Sequence, residues 1–177
     1  MCGIVGYTGF QDAYSVVING LRRLEYRGYD SAGIVLENRN QNFSTAKTKG
    51  KVDDLVAISE DLKGTASVGM GHTRWATHGI PSDRNSHPHV SNNGKIALVH
   101  NGIIENYDTI KKMLTEKGFT FQSETDTEVL VNLIQHFMDL DVNLDFPEAV
   151  RFALNEVYGA YAITVMHSDF PGVLVVA

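Results

Sequence analysis

Alternating and helical spacings of apolar residues divide this chain into short elements. "CGIVGYTG" is apolar, β-branched and punctuated by glycine, the signature of a strand. In "QDAYSVVINGLRRLEYRG", Val16, Val17, Leu21 and Leu24 recur at helical spacing and Gly28 stands where a C-cap belongs. "SAGIVLE" and "FSTAKTKG" read as a hairpin around the turn-rich "NRNQN". A short amphipathic helix, "VDDLVAISEDL", precedes a strand, "SVGMGHTRW".

Beyond it, "ATHGIPSDRNSHPHVSNNG" is long, polar and broken by prolines, the composition of a functional loop. "KIALVHNG" reads as a strand ending in a turn, and "IENYDTIKKMLTEKG" as a helix. Thr125 and Glu128 fit a capping box for "SETDTEVLVNLIQHFMDL", whose Val129, Leu130, Leu133, Ile134 and Phe137 form an apolar stripe. A further helix falls within 146–157, followed by strands "YAITVM" and "GVLVVA". Strands, then helices, then strands again predict an α+β or layered arrangement with mainly antiparallel sheets. The final "VLVVA" is a strand with no turn after it, so the chain reads as truncated.

Composition narrows the function more than the fold. With 43% hydrophobic and 20% charged residues over 177 positions, the chain is an ordinary globular domain with enough length for a real core. A net charge of −6 argues against general affinity for nucleic acid or acidic membranes. No stretch approaches the ~18 apolar residues of a membrane span, and the start lacks the features of a signal peptide. The expected compartment is therefore the reducing cytoplasm.

A single cysteine cannot form an internal disulfide, and here it is Cys2. Removal of Met1 would make Cys2 the terminal residue, with an α-amine beside its thiol. A terminal amine has a reference pKa of roughly 7.7–8.0 and a free thiol one of about 8.5, so one residue would supply nucleophile and base. The alternative is a small buried hydrophobe at the start of a strand.

A thiolate attacking a carbonyl needs an oxyanion hole. The Asn101 side-chain amide and the Gly102 backbone N–H are candidates, against the alternative of a simple Asn-Gly turn. Arg74 suits a carboxylate, against a solvated surface arginine, and Trp75 is either core or lid. Asp126 opens a helix, where the dipole favours an acid in any case; holding an ammonium is the functional alternative. The histidines at 72, 78, 87, 89 and 100 follow no zinc-ligand spacing, so no metal is expected.

In order, "MCGIVG", "RLEYRGYDSAG", "GHTRWATHG", "NSHPH", "LVHNGIIEN" and "SETDTEV" resemble the glutaminase domains of class II glutamine amidotransferases. Among these the resemblance is to the glutamine–fructose-6-phosphate aminotransferases, and it runs from Cys2 to the end of the chain. The purine-pathway amidophosphoribosyltransferases would be expected to carry "HRGQ" and a tyrosine after the arginine, where this chain has Trp75.

The resemblance implies an N-terminal nucleophile hydrolase fold, four αββα layers with two mainly antiparallel sheets. It implies that residues 1–177 form a glutaminase domain whose family runs past residue 177, with sugar-isomerase domains binding fructose 6-phosphate outside this chain. Cys2 would attack the glutamine side-chain amide, with Asn101 and Gly102 stabilising the oxyanion. Arg74 would take the α-carboxylate and Asp126 the α-ammonium, with Trp75, Thr77 and His78 lining the same pocket. Arg27 and Gly28 would support its floor, and "ATHGIPSDRNSHPH" would close over the substrate. No cofactor is implied, and the full-length enzyme is implied to be a homodimer. The competing expectations are a glutaminase serving another acceptor, a glutamine-binding module without turnover, and a histidine-rich metal protein.

Overall fold

The computed structural model describes residues 2–38, 40–75 and 82–177. Strand β1 (Gly3–Thr8) leads into α1 (Ala13–Leu24), which Asp12 caps by accepting from the Ser15 N–H at 3.1 Å. Helix α1 buries Ala13, Tyr14, Val17, Ile18 and Leu21, leaving Val16 and Leu24 only half-buried. A single 3₁₀ turn, Glu25–Arg27, follows and ends at Gly28. The hairpin forms from β2 (Ser31–Asn38) and β3 (Phe43–Lys49), and α2 (Val52–Ser59) precedes β4 (Ala66–Arg74). These strands make one antiparallel sheet in the order β1-β4-β2-β3.

The second sheet, β5-β6-β7-β8, uses β5 (His89–Val90), β6 (Ile96–Ile104), β7 (Gly159–His167) and β8 (Val175–Val176). Its outer face carries α3 (Tyr107–Glu116), α4 (Asp126–Leu140) and α5 (Phe146–Glu156). Every residue of α4 from Asp126 to Gln135 is buried, because the helix lies between this sheet and its two neighbours.

Three apolar clusters glue four layers together. One joins α1 and α2 to the first sheet and one joins α3–α5 to the second. The third lies between the sheets, made of Val35, Val68, Met70, Ala97, Val99 and Met166. Strand alternation explains this division. On β4, Val68 and Met70 point between the sheets, while a Cβ at Gly69 or Gly71 would strike Leu36 or Val17 on the helix side. Gly71 lets α1 lie close against the strand, while Gly69 makes room for the Leu36 side chain of β2.

Two expectations need correction. Asn101-Gly102 is not a turn: β6 continues through it to Ile104, pairing Gly102 with Tyr161 on β7. Gly102 has φ +132°, and a Cβ there would collide with the Ala160 carbonyl oxygen, so glycine here permits close strand approach rather than reversal. The capping box at α4 is also half-made. Thr125 Oγ1 accepts from the Glu128 N–H at 3.4 Å, but Glu128 turns its carboxylate to the N–H groups of Gln122 and Ser123, at 2.9 and 2.6 Å. The Thr125 N–H is taken by Ser123 Oγ instead.

Candidate functional site

Between the sheets the apolar filling stops short of one end. On β4 the inward positions Val68 and Met70 give way to His72 and Arg74, and on β6 Ala97 and Val99 give way to Asn101. On β7, Met166 and Thr164 are succeeded by Ala162 and Ala160, which are too small to fill the gap. A cavity of about 470 Å³ opens there, within the range of small-molecule sites. Two other clefts, about 560 and 670 Å³, are larger, but neither is lined by the thiol, so chemistry rather than size selects the first.

Cys2, Arg27, Arg74, Trp75, Asn101, Gly102 and Asp126 all line this cavity. Cys2 is half-buried and is the one free cysteine. The Trp75 backbone N–H donates to its Sγ at 3.2 Å, and Sγ lies 3.5 Å from the Trp75 carbonyl oxygen. An N–H aimed at sulfur is the donor that a developing thiolate needs. Trp75 is 49% exposed and its ring is set edge-on to Tyr29 at 5.5 Å, so it stands at the mouth and is not core. Gly28 lies behind this peptide: a Cβ there would come within 2.8 Å of the Arg74 carbonyl carbon and 3.0 Å of Trp75 N. Any side chain at 28 would push the backbone that holds the thiol.

Arg74 and Asp126 place a buried cation and a buried anion in the same lining. Burial pushes the Arg74 guanidinium down, and the neighbouring charges of Asp30, Cys2 and Asp126 oppose that. Asp126 sits at the start of α4, where its Oδ2 accepts the Ile104 N–H at 2.9 Å. The Asn101 amide is bonded at both ends, with Nδ2 donating to the Cys2 carbonyl at 3.2 Å and Oδ1 lying 2.7 Å from His72 Nε2. Thr77 and His78, like the start of the expected closing loop at 76–81, lie outside the described residues.

Residue types alone did not single out the polar wall behind these groups. His72, His87, His89 and His100 are all buried, with His72 and His87 rings 4.2 Å apart and His87 and His89 5.1 Å apart. Threonine hydroxyls from α4 and its cap engage them: Thr127 Oγ1 lies 3.1 Å from His87 Nε2 and 3.0 Å from His100 Nδ1, and Thr125 Oγ1 lies 3.0 Å from His89 Nε2. Burial holds His72 down to about 3, against the pull of its bond to Asn101, and holds His87 and His89 well below the usual imidazole range. Among the described residues, no group of three or more His, Cys, Asp or Glu side chains is arranged to hold a metal ion. Lys47 Nζ fastens the segment that carries His87, donating to the carbonyls of Arg84, Ser86 and Pro88 at 3.4, 3.1 and 3.4 Å. The signal for His72 was its place two residues before Arg74 on one strand, which puts both on one face.

A family model described as a glutamine amidotransferase domain matches residues 53–142. The chain belongs to the glutamine amidotransferase domain family. Within it, this amidotransferase domain is 53% identical over its whole length to the glutamine–fructose-6-phosphate aminotransferase of Bacteroides thetaiotaomicron, and 48% identical to that of Pyrococcus horikoshii. It spans only 29% of the length of each of these relatives. A solved glutamine phosphoribosylpyrophosphate amidotransferase from B. subtilis is 29% identical with a TM-score of 0.79, over 95% of this chain and 35% of that one. An allosteric regulatory enzyme of purine biosynthesis gives 29% and 0.80, over 95% and 36%. The amidotransferase domain thus has the N-terminal nucleophile hydrolase fold, in keeping with its two facing antiparallel sheets between helical layers.

Proposed function

We propose that this domain hydrolyses L-glutamine to glutamate and ammonia through a γ-glutamyl thioester on Cys2. The observation that carries the reading is the shared cavity: a thiol, a buried cation at Arg74, a buried anion at Asp126 and the amide donors of Asn101 and Gly102. A zwitterionic amino acid needs one partner of each sign, placed beyond the reacting amide. Arg74 takes the α-carboxylate and Asp126 the α-ammonium.

Loss of Met1 frees the Cys2 amine, which accepts the thiol proton while sulfur attacks the side-chain carbonyl carbon. Asn101 Nδ2–H and the Gly102 N–H receive the negative oxygen of the tetrahedral intermediate. As that intermediate collapses, the C–N bond breaks and the ammonium of Cys2 returns the proton, so ammonia leaves and the thioester remains. Water then adds to the thioester carbonyl, its proton passing through the Cys2 amine to the departing sulfur as the C–S bond breaks, so glutamate leaves and the thiol is regenerated. Trp75 borders the bound substrate, and Arg27 and Gly28 support the floor.

In the full-length protein the ammonia reacts with fructose 6-phosphate on isomerase domains outside this chain, giving glucosamine 6-phosphate and water. Higher identity supports that acceptor: 53% to a fructose-6-phosphate aminotransferase against 29% to a phosphoribosylpyrophosphate amidotransferase. The full-length protein works as a homodimer in the cytoplasm, where a free nucleophilic thiol stays reduced. Among the described residues no helix is long and apolar enough to cross a membrane.

Treatment with 6-diazo-5-oxo-norleucine, a glutamine-shaped electrophile, followed by peptide mass spectrometry tests the reading. Labelling at Cys2 that excess glutamine suppresses supports it. Labelling that ignores glutamine, or falls elsewhere, refutes it.

A further inference from the structure

We infer that His72 is the positioning residue that turns the Asn101 amide so its donor end faces Cys2. The inference rests on the proposed role of Asn101 at the oxyanion. A carboxamide has two nearly isosteric ends, and the wrong one would present an oxygen to the developing negative charge. Something must therefore choose the rotamer. His72 Nε2 lies 2.7 Å from Asn101 Oδ1, while Asn101 Nδ2 donates to the Cys2 carbonyl at 3.2 Å.

With Nδ2 turned to a carbonyl, Oδ1 is the end facing His72, and the imidazole must be the donor. His72 is 1% exposed, and burial keeps the ring neutral, so it carries one N–H and places it at Nε2. The ring is itself held in place. It stacks on His87 at 4.2 Å and 32°, and His87 is pinned by Thr127 Oγ1 at 3.1 Å and by the His100 backbone N–H at 3.3 Å. Thr127 follows Asp126 at the start of α4, so one buried chain of contacts joins the two residues proposed to touch opposite ends of glutamine.

Without the Nε2–H, Asn101 Oδ1 loses its buried donor, and only the bond from Nδ2 to the Cys2 carbonyl still opposes rotation of the amide. Rotation aims an acceptor at the oxyanion, so the effect falls on the transition state and leaves ground-state binding alone.

The test measures glutamine hydrolysis by the intact protein carrying His72→Phe, His72→Gln, Asn101→Ala and the double variant His72→Phe/Asn101→Ala. Phe keeps a flat ring without a donor; Gln returns an N–H near the Nε2 position. His72→Phe is expected to lower kcat about 10²-fold, with KM within about threefold, and His72→Gln to recover most of that loss. The double variant is expected to match Asn101→Ala, because His72 acts through that side chain. Iodoacetamide, which needs no oxyanion hole, is expected to alkylate Cys2 equally fast in His72→Phe, His72→Gln and the unaltered protein. Losses that add in the double variant, or a His72→Gln as impaired as His72→Phe, overturn the inference. Should His72→Phe fail to fold, His72→Asn, smaller and lacking the Nε2 donor, replaces it in the same cycle with the same two criteria. Full activity of Asn101→Ala sinks the oxyanion reading itself, and absence of hydrolysis in the unaltered protein sinks the glutaminase reading.

Discussion

Two ends of the same inter-sheet layer meet opposite demands. At one end Val68 and Met70 of β4 face Ala97, Val99 and Met166, and the space is filled. Two residues further along β4, on the same face, stand His72 and then Arg74; the matching step on β6 is Asn101. The backbone does not change between them, since both strands stay paired throughout. What changes is side-chain volume and polarity, with Ala162 and Ala160 where Met166 and Thr164 stood. One end therefore supplies stability, and the other spends its volume on a cavity whose polar groups are braced from behind by a wall of buried histidines, of which burial holds His72, His87 and His89 neutral.

That contrast breaks cleanly if the two ends are altered separately. Cys2→Ala at the open end is expected to cut glutamine hydrolysis by about 10³-fold or more, while denaturant unfolding shifts by less than about 1 kcal/mol. Met70→Ala at the filled end is expected to cost about 2–5 kcal/mol of stability by leaving a void, with KM for glutamine unchanged in the protein that remains folded. Comparable kinetic damage from both would mean the ends are not separate. Ala162→Leu extends the filling toward the cavity. A rise in KM of about tenfold is expected, with stability within ~1 kcal/mol, from steady-state kinetics and a melting curve. An unchanged KM would place glutamine elsewhere.

Acid sharpens the comparison through the histidine wall. His72, His87 and His89 have folded pKa values below 6.5, so between that value and the folded ones the unfolded chain binds protons that the folded one does not. Stability is therefore fully present above about pH 6.5 and declines as pH falls, with a limiting slope of about 1.4 kcal/mol per pH unit for each histidine. Urea midpoints from pH 7 to pH 4.5 should show this decline, and His89→Gln should flatten it. A midpoint independent of pH over that range would show that the wall is not held neutral by the fold.

Periodic segments were legible because their apolar residues answer to one neighbour. The spacing of Val17 and Leu21 needs only a sheet beneath α1, and the alternation in "SAGIVLE" needs only a core. Asn101-Gly102 was misread because the same dipeptide serves a turn and a strand whose partner crowds close, and only Ala160 on a strand nearly sixty residues later distinguishes them. The thiol's position next to Met1 suggested a nucleophile from sequence alone, but its contacts with the Trp75 backbone come from β1 lying beside β4. The histidine wall was harder still. His72 and His87 come from different elements and acquire meaning by stacking, and Thr127 reads in the sequence as one more polar residue near a helix start.

The central claim is that the sulfur in this cavity carries the glutamyl group. Mixing the protein with glutamine labelled with ¹⁵N at the side-chain nitrogen, quenching in acid within a turnover and mapping the covalent adduct tests it most directly. The account predicts a γ-glutamyl group on a Cys2 that has lost Met1, with the ¹⁵N recovered as ammonia. Release of labelled ammonia by a chain that keeps Met1, or with the adduct on any other residue, would contradict it.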